Sequence, residues 1–176
     1  EAKKKTIFKP IFGCEVYVTR KTPSNPEGSR FIKEFRENIS GDHLILLAKN
    51  KVGYYNLCKL VSLAWIEGEY LRPRIDKEIL EKYKEGLIVS SACLAGEIHK
   101  KIEANNYKAA KETVLWFKQI FKDDYYLELQ RHQTDKKGAD ITVYQQQLHQ
   151  NIFLIQLAKE TNTKLVATND VHFVEE

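Results

Sequence analysis

A chain of 176 residues with 28 Lys and Arg against 24 Asp and Glu, 43% hydrophobic residues and 30% charged has the size and balance of one globular folding unit, which excludes a disordered tract or a fibre. No apolar run reaches the roughly 18 residues of a membrane span, the charged start EAKKK lacks the apolar centre of a secretion signal, and three cysteines without a Cys-x-x-Cys pair make neither a disulfide framework nor a zinc knuckle. A cytoplasmic protein is expected, and, from the lack of any methionine, a segment of a longer polypeptide; the net charge of +4 is compatible with a nucleic-acid partner.

Strand-length apolar runs alternate with helix-length amphipathic ones along the chain. The first strand is predicted in KPIFGCEVYVT (9–19), after a Lys-rich start expected to fray. TRKTPSNPEGSR (19–30), with two prolines, a glycine and several hydroxyls, reads as a mobile loop or hairpin tip. DHLILLAKN (42–50) is the second strand. The helix VGYYNLCKLVSLAWIEG (52–68) follows, with Tyr54, Leu57, Val61 and Trp65 spaced to pack on the sheet and Cys58 beside them as core. A helix over 75–85 stops at Gly86, in the usual place for a left-handed residue. GLIVSSAC (86–93) is the third strand, and a short helix lies around 96–104. A longer helix over 107–122, the strand DDYYLELQR (123–131), a helix over 141–162 and the strand KLVATNDVHF (164–173) complete the order. Most strands are apolar on both faces, as in a parallel sheet covered by helices. The class is α/β, either an open doubly wound sheet or part of a barrel; five strands in this length fall short of a closed eight-stranded barrel.

Ligands of parallel α/β folds bind outside the carboxyl ends of the strands. Glu15 lies on the first strand, His43 begins the second, Cys93 closes the third, Arg131 and His132 close the fourth, and Asp170 and His172 close the fifth. Carboxylate, imidazole and thiol are the donors of zinc or mixed transition-metal sites. Taken singly each has an ordinary structural explanation: Glu15 as a surface residue, Cys93 as a small buried hydrophobe, His43 as a histidine bonded to backbone. Asp170 and His172 are more specific, since a period of two puts both on one face of an extended strand, although a surface salt bridge would account for them equally well. His99 and His149, among Lys and Gln in helical runs, read as solvated.

Six blocks, GCEVYV (13–18), DHLILLAKNKVGYYNLCKLVSLA (42–64), RPRID (72–76), EGLIVSSACLAGEI (85–98), YYLELQRH (125–132) and LVATNDVHF (165–173), resemble in unbroken order the PHP domains carried by bacterial replicative DNA polymerases of the polymerase III alpha type. The resemblance implies a distorted (βα)7 barrel, here partial, with mostly parallel strands and flanking helices, and residues 1–176 as one PHP domain lacking the first two PHP motifs. It implies a cluster of up to three metal ions at the strand ends. Glu15 would bridge two of them, His43 and Cys93 would add ligands to one, Asp170 would serve the first metal and His172 a third. Arg131 and His132 would contact substrate phosphate or metal.

The activity implied is metal-dependent phosphodiester hydrolysis, a 3′-5′ proofreading exonuclease within a DNA-directed DNA polymerase, with the chain alone expected to be inactive. The cofactor implied is a divalent metal, zinc first and manganese or iron next. DNA and other replicase subunits are the partners, and open sheet edges predict self-association. Two alternatives stay in view: a vestigial scaffold that binds a proofreading subunit, and a free-standing PHP phosphatase.

Overall fold

The computed structural model describes residues 9–22, 25–33, 41–134 and 136–172; the predicted frayed start lies outside them. Among these residues seven strands, β1 (Gly13–Val18), β2 (Asp42–Ala48), β3 (Glu69–Tyr70), β4 (Arg72–Ile75), β5 (Leu87–Ser90), β6 (Tyr125–Gln130) and β7 (Lys164–Thr168), form one open sheet in the order β3-β4-β1-β2-β5-β6-β7. β4, β1, β5, β6 and β7 run the same way, while β2 and the two-residue β3 run against them. The mostly parallel α/β sheet with flanking helices is therefore present, as an unclosed partial barrel with one reversed strand near its middle.

Five α-helices connect the strands: α1 (Lys51–Ile66), α2 (Lys77–Lys82), α3 (Glu97–Glu103), α4 (Tyr107–Phe121) and α5 (Thr142–Thr161). Three start on side-chain caps, Asn50, Asp76 and Asn106, each accepting from a backbone N–H three residues on at 3.0–3.1 Å. α5 ends at Asn162 in the left-handed region, φ 51°. The period-two pattern of each strand decides the layering. Val16, Val18, Leu44, Leu46, Leu87, Val89, Tyr125 and Leu127 turn to one face and form a single core with Leu60, Ile79, Ile98, Phe117 and Leu154 from the five helices. The opposite face, with Ile45, Leu47, Ile88, Tyr126 and Val166, borders a hollow instead. The expected helix cover on both faces is not met among the described residues, because every helix supplies its buried residues to the same side.

Several local expectations are corrected. β3 and β4 fall where no strand was predicted, since β4 contains Pro73 and has only four residues. The buried stripe of α1 is Gly53, Leu57, Leu60 and Ala64, leaving Tyr54 and Trp65 exposed by 42% and 60%. Small residues at 53 and 64 let the helix backbone approach closely, so its larger aromatic side chains point away. Cys58, one residue past Leu57, turns outward and is exposed. The described part of 19–30 is pinned: the Thr19 hydroxyl donates to Gly28 O, the Asn25 side chain bridges Ser29 N–H and C=O, and buried Arg30 pairs with Glu67 and Asp76.

One very close approach is between the start of α1 and the turn before β5. A Cβ on Gly53 would stand 1.8 Å from the carbonyl oxygen of Gly86, itself held at φ +72°. Both sides of that contact are backbone, so neither can rotate away. Gly53→Ala is expected to lower the unfolding free energy by about 2–3 kcal/mol, read as a fall in the denaturation midpoint with an unchanged denaturant slope.

Candidate metal centre

Glu15 and His43 meet because β2 is reversed. Antiparallel pairing sets Tyr17 opposite His43 and Glu15 opposite Ile45, so Glu15 and His43 are diagonal neighbours on the open face. The amino end of β2 lies at the carboxyl end of β1, and a residue that begins its strand joins residues that end theirs. His43 Nδ1 stands 2.9 Å from Glu15 Oε1, and its ring meets Tyr17 edge to face at 5.0 Å between centroids.

Cys93 arrives from the other flank. The turn after β5 docks on the start of β2: His43 N–H donates to Ala95 O at 3.1 Å, His43 pairs with Gly96, and Gly96 N–H closes the turn on Cys93 O at 2.8 Å. Ala92 takes a left-handed conformation at φ 60°, a cost of about 1–2 kcal/mol for a non-glycine residue. The Cys93 sulfur comes within 3.7 Å of His43 Nδ1. The donor atoms of Glu15, His43 and Cys93 all lie within 4.8 Å of one another, and all three side chains are half-buried. Behind them Asp42, on the helix side of β2, is held by Arg20 and Lys100 at 2.8 Å each, and burial pushes its carboxyl up.

Two of the three donors, Glu15 and Cys93, line a hollow of about 420 Å³ whose wall also includes Ile45, Glu128, Val166 and Asp170. Asp170 thus reaches the same hollow, at φ 42°, but stands outside the three-residue group. His172 is exposed, its Nδ1 donating to Asp170 O at 2.7 Å. Arg131 is exposed at the end of β6. His132 has both ring nitrogens engaged: Gln147 Nε2 donates to Nδ1 at 3.1 Å, and Nε2–H donates to Asn169 O at 2.7 Å. That arrangement clamps the 169–172 segment onto α5 rather than offering a free nitrogen to a ligand.

Two residues carry more than their sequence context implied. His99 is 3% exposed rather than solvated; its Nδ1 donates to Gln150 at 2.6 Å, and burial lowers its pKa. Glu128, equally enclosed, lies in the hollow wall. Its signal was present in YYLELQ, where a period of two puts Tyr126, Glu128 and Gln130 on the face opposite the leucines.

Comparison with known proteins places these residues in a family context. A family model described as PHP domain matches residues 1–132. The chain is 46% identical over 176 residues to the DNA polymerase III subunit alpha of Borreliella burgdorferi, an alignment covering 99% of this chain and 14% of that protein. It is 43% identical over 173 residues to the protein of the same name from Aquifex aeolicus, covering 95% of this chain and 13% of the relative. The corresponding Campylobacter jejuni protein is 41% identical over 177 residues, covering 94% and 13%. The chain thus spans about 14% of the length of the curated relatives it matches.

Hydrogen bonding to the Cys93 sulfur and to the Glu15 carboxylate raises the His43 imidazole from its ordinary 6.5 to about 9, overcoming the opposing effect of burial. The folded state therefore binds the proton more tightly than the unfolded chain. The resulting stabilisation is fully present below 6.5 and is lost as pH rises through about 9. In metal-free protein the His43 ring is expected to titrate by NMR near 9, and Glu15→Gln should bring it back towards 6.5.

Proposed function

The chain belongs to the PHP domain family, and from that premise we propose that the Glu15, His43 and Cys93 corner is a divalent-metal site for phosphodiester hydrolysis, the 3′-5′ proofreading exonuclease of a bacterial DNA polymerase III alpha subunit. The observation that carries this reading is the convergence of three different donor types within 4.8 Å of one another, two of them, Glu15 and Cys93, lining one hollow. Carboxylate, imidazole and thiol suit zinc first, and manganese or iron next. When bound, such an ion supplies Lewis acidity to a phosphoryl oxygen and lowers the pKa of a water.

The chain's own residues supply the rest. Loading requires His43 to release the Nδ1 proton it shares with Glu15, and Cys93 to release its thiol proton. Asp170, on the far wall, can serve a neighbouring cation. The hollow has room for one nucleotide-sized group, and its aliphatic wall of Ile45, Leu47 and Ile88 lowers the local dielectric beside the charged rim. DNA and further replicase subunits are the partners this function requires.

A second reading, a vestigial scaffold that holds a proofreading subunit, has one observation behind it: His43 and Glu15 satisfy each other at 2.9 Å. A free-standing phosphatase is disfavoured by the 41–46% identity to polymerase subunits. Elemental analysis of the full-length protein separates these readings when joined to a 3′-end degradation assay on single-stranded DNA. The hydrolytic reading expects stoichiometric metal, with activity that is lost on chelation and falls by at least about 100-fold in Cys93→Ser, beyond what loss of an outer contact costs. Metal-free protein without degradation would leave the scaffold.

A further inference from the structure

Glu128 stands in the middle of the open face, 3% exposed, with every carboxylate position engaged. Its Oε1 accepts from the Ser90 hydroxyl and from Ala92 N–H at 3.1 Å. Its Oε2 accepts from the Thr168 hydroxyl and, at 3.5 Å, from Gln130 Nε2. Its own N–H donates to Ser91 Oγ at 2.9 Å. A carboxylate offers about four lone-pair sites, and four donors from β5 and the turn after it, β6 and β7 fill them here.

The donors are placed unequally. Those on Oε1 belong to the end of β5 and to the residue just before Cys93. On Oε2, Thr168 is the last residue of β7, two before Asp170. The two anchored segments each contain a non-glycine residue in the left-handed region, Ala92 and Asp170, a conformation that persists only where surrounding contacts over-determine it. Glu128 is the side chain shared by both.

We propose that Glu128 is the positioning residue of the metal corner: it fixes the turn that presents Cys93 against the segment that presents Asp170, and so sets the affinity of the site for a divalent cation. Outer contacts of this kind orient ligands without touching the ion. The inference rests on the corner being a metal site. A glutamine of the same shape accepts at only one end, so Glu128→Gln keeps the volume and one half of the network while loosening the other.

The test is a Co²⁺ titration of the full-length protein, followed by the thiolate-to-cobalt absorption band, with Cys93→Ser as the blank for other thiols. Glu128→Gln is expected to raise the cobalt Kd by roughly 10–100-fold and to weaken the band per bound ion at cobalt saturation. Should that variant not fold, Ser90→Ala, which removes a single donor and leaves the carboxylate, is expected to raise Kd several-fold. Wild-type affinity and an unaltered band in whichever folded variant is measured would overturn the inference while leaving the metal reading intact, even if thermal stability fell. Wild-type protein without any Cys93-dependent band would overturn both.

Discussion

The contact between His43 and Glu15 depends on one strand running against its neighbours. In a wholly parallel sheet the first residue of a strand lies at the end remote from the ligand side, and an imidazole there could not meet a carboxylate near the other end. Reversal of β2 brings Asp42 and His43 to the carboxyl ends of β1 and β5. Everything at the site follows: the turn after β5 has a strand start to dock on, and Cys93 is carried to within 3.7 Å of the ring. The mixed sheet is the device that assembles three donor types from three strands.

That assembly is supported by a row of buried amide side chains on α5, Gln147, Gln150 and Asn151. Gln150 fixes His99, Asn151 caps the Gln130 carbonyl, Gln147 orients His132, and His132 in turn holds the Asn169 carbonyl. Buried polar groups are tolerated when their bonding positions are filled, and a satisfied network specifies one arrangement more sharply than aliphatic packing does. The loops that carry Cys93 and Asp170 are short and exposed on one side. Polar contacts hold them: Ala92 N–H and the Thr168 hydroxyl donate to Glu128, and His132 donates to the Asn169 carbonyl.

Much of this was legible in the sequence, and the misses have physical causes. Strands with β-branched runs and helices with capped starts announce themselves, so five of the seven strands and all five helices fall near their predicted places. Strand direction is a property of pairing, which no local pattern encodes, and the reversal of β2 was accordingly not read. α1 was misjudged because hydrophobicity ranks Trp65 above Gly53, whereas close approach of backbone rewards the smaller residue. Glu15, His43 and Cys93 were legible as donors at strand tips. His172 was drawn in by its pairing with Asp170 in sequence, yet its ring turns back to the Asp170 carbonyl. Glu128 was passed over because a carboxylate inside a leucine-rich strand reads as an exception, although such exceptions mark the places where a fold spends stability on a site.

X-ray absorption on zinc-loaded full-length protein is the most direct measurement of the central claim, since it counts the atoms around the ion without reference to activity. A single sulfur neighbour at about 2.3 Å, accompanied by nitrogen and oxygen and removed by Cys93→Ser, is the predicted result. A shell without sulfur, or one that Cys93→Ser leaves unchanged, would contradict the account.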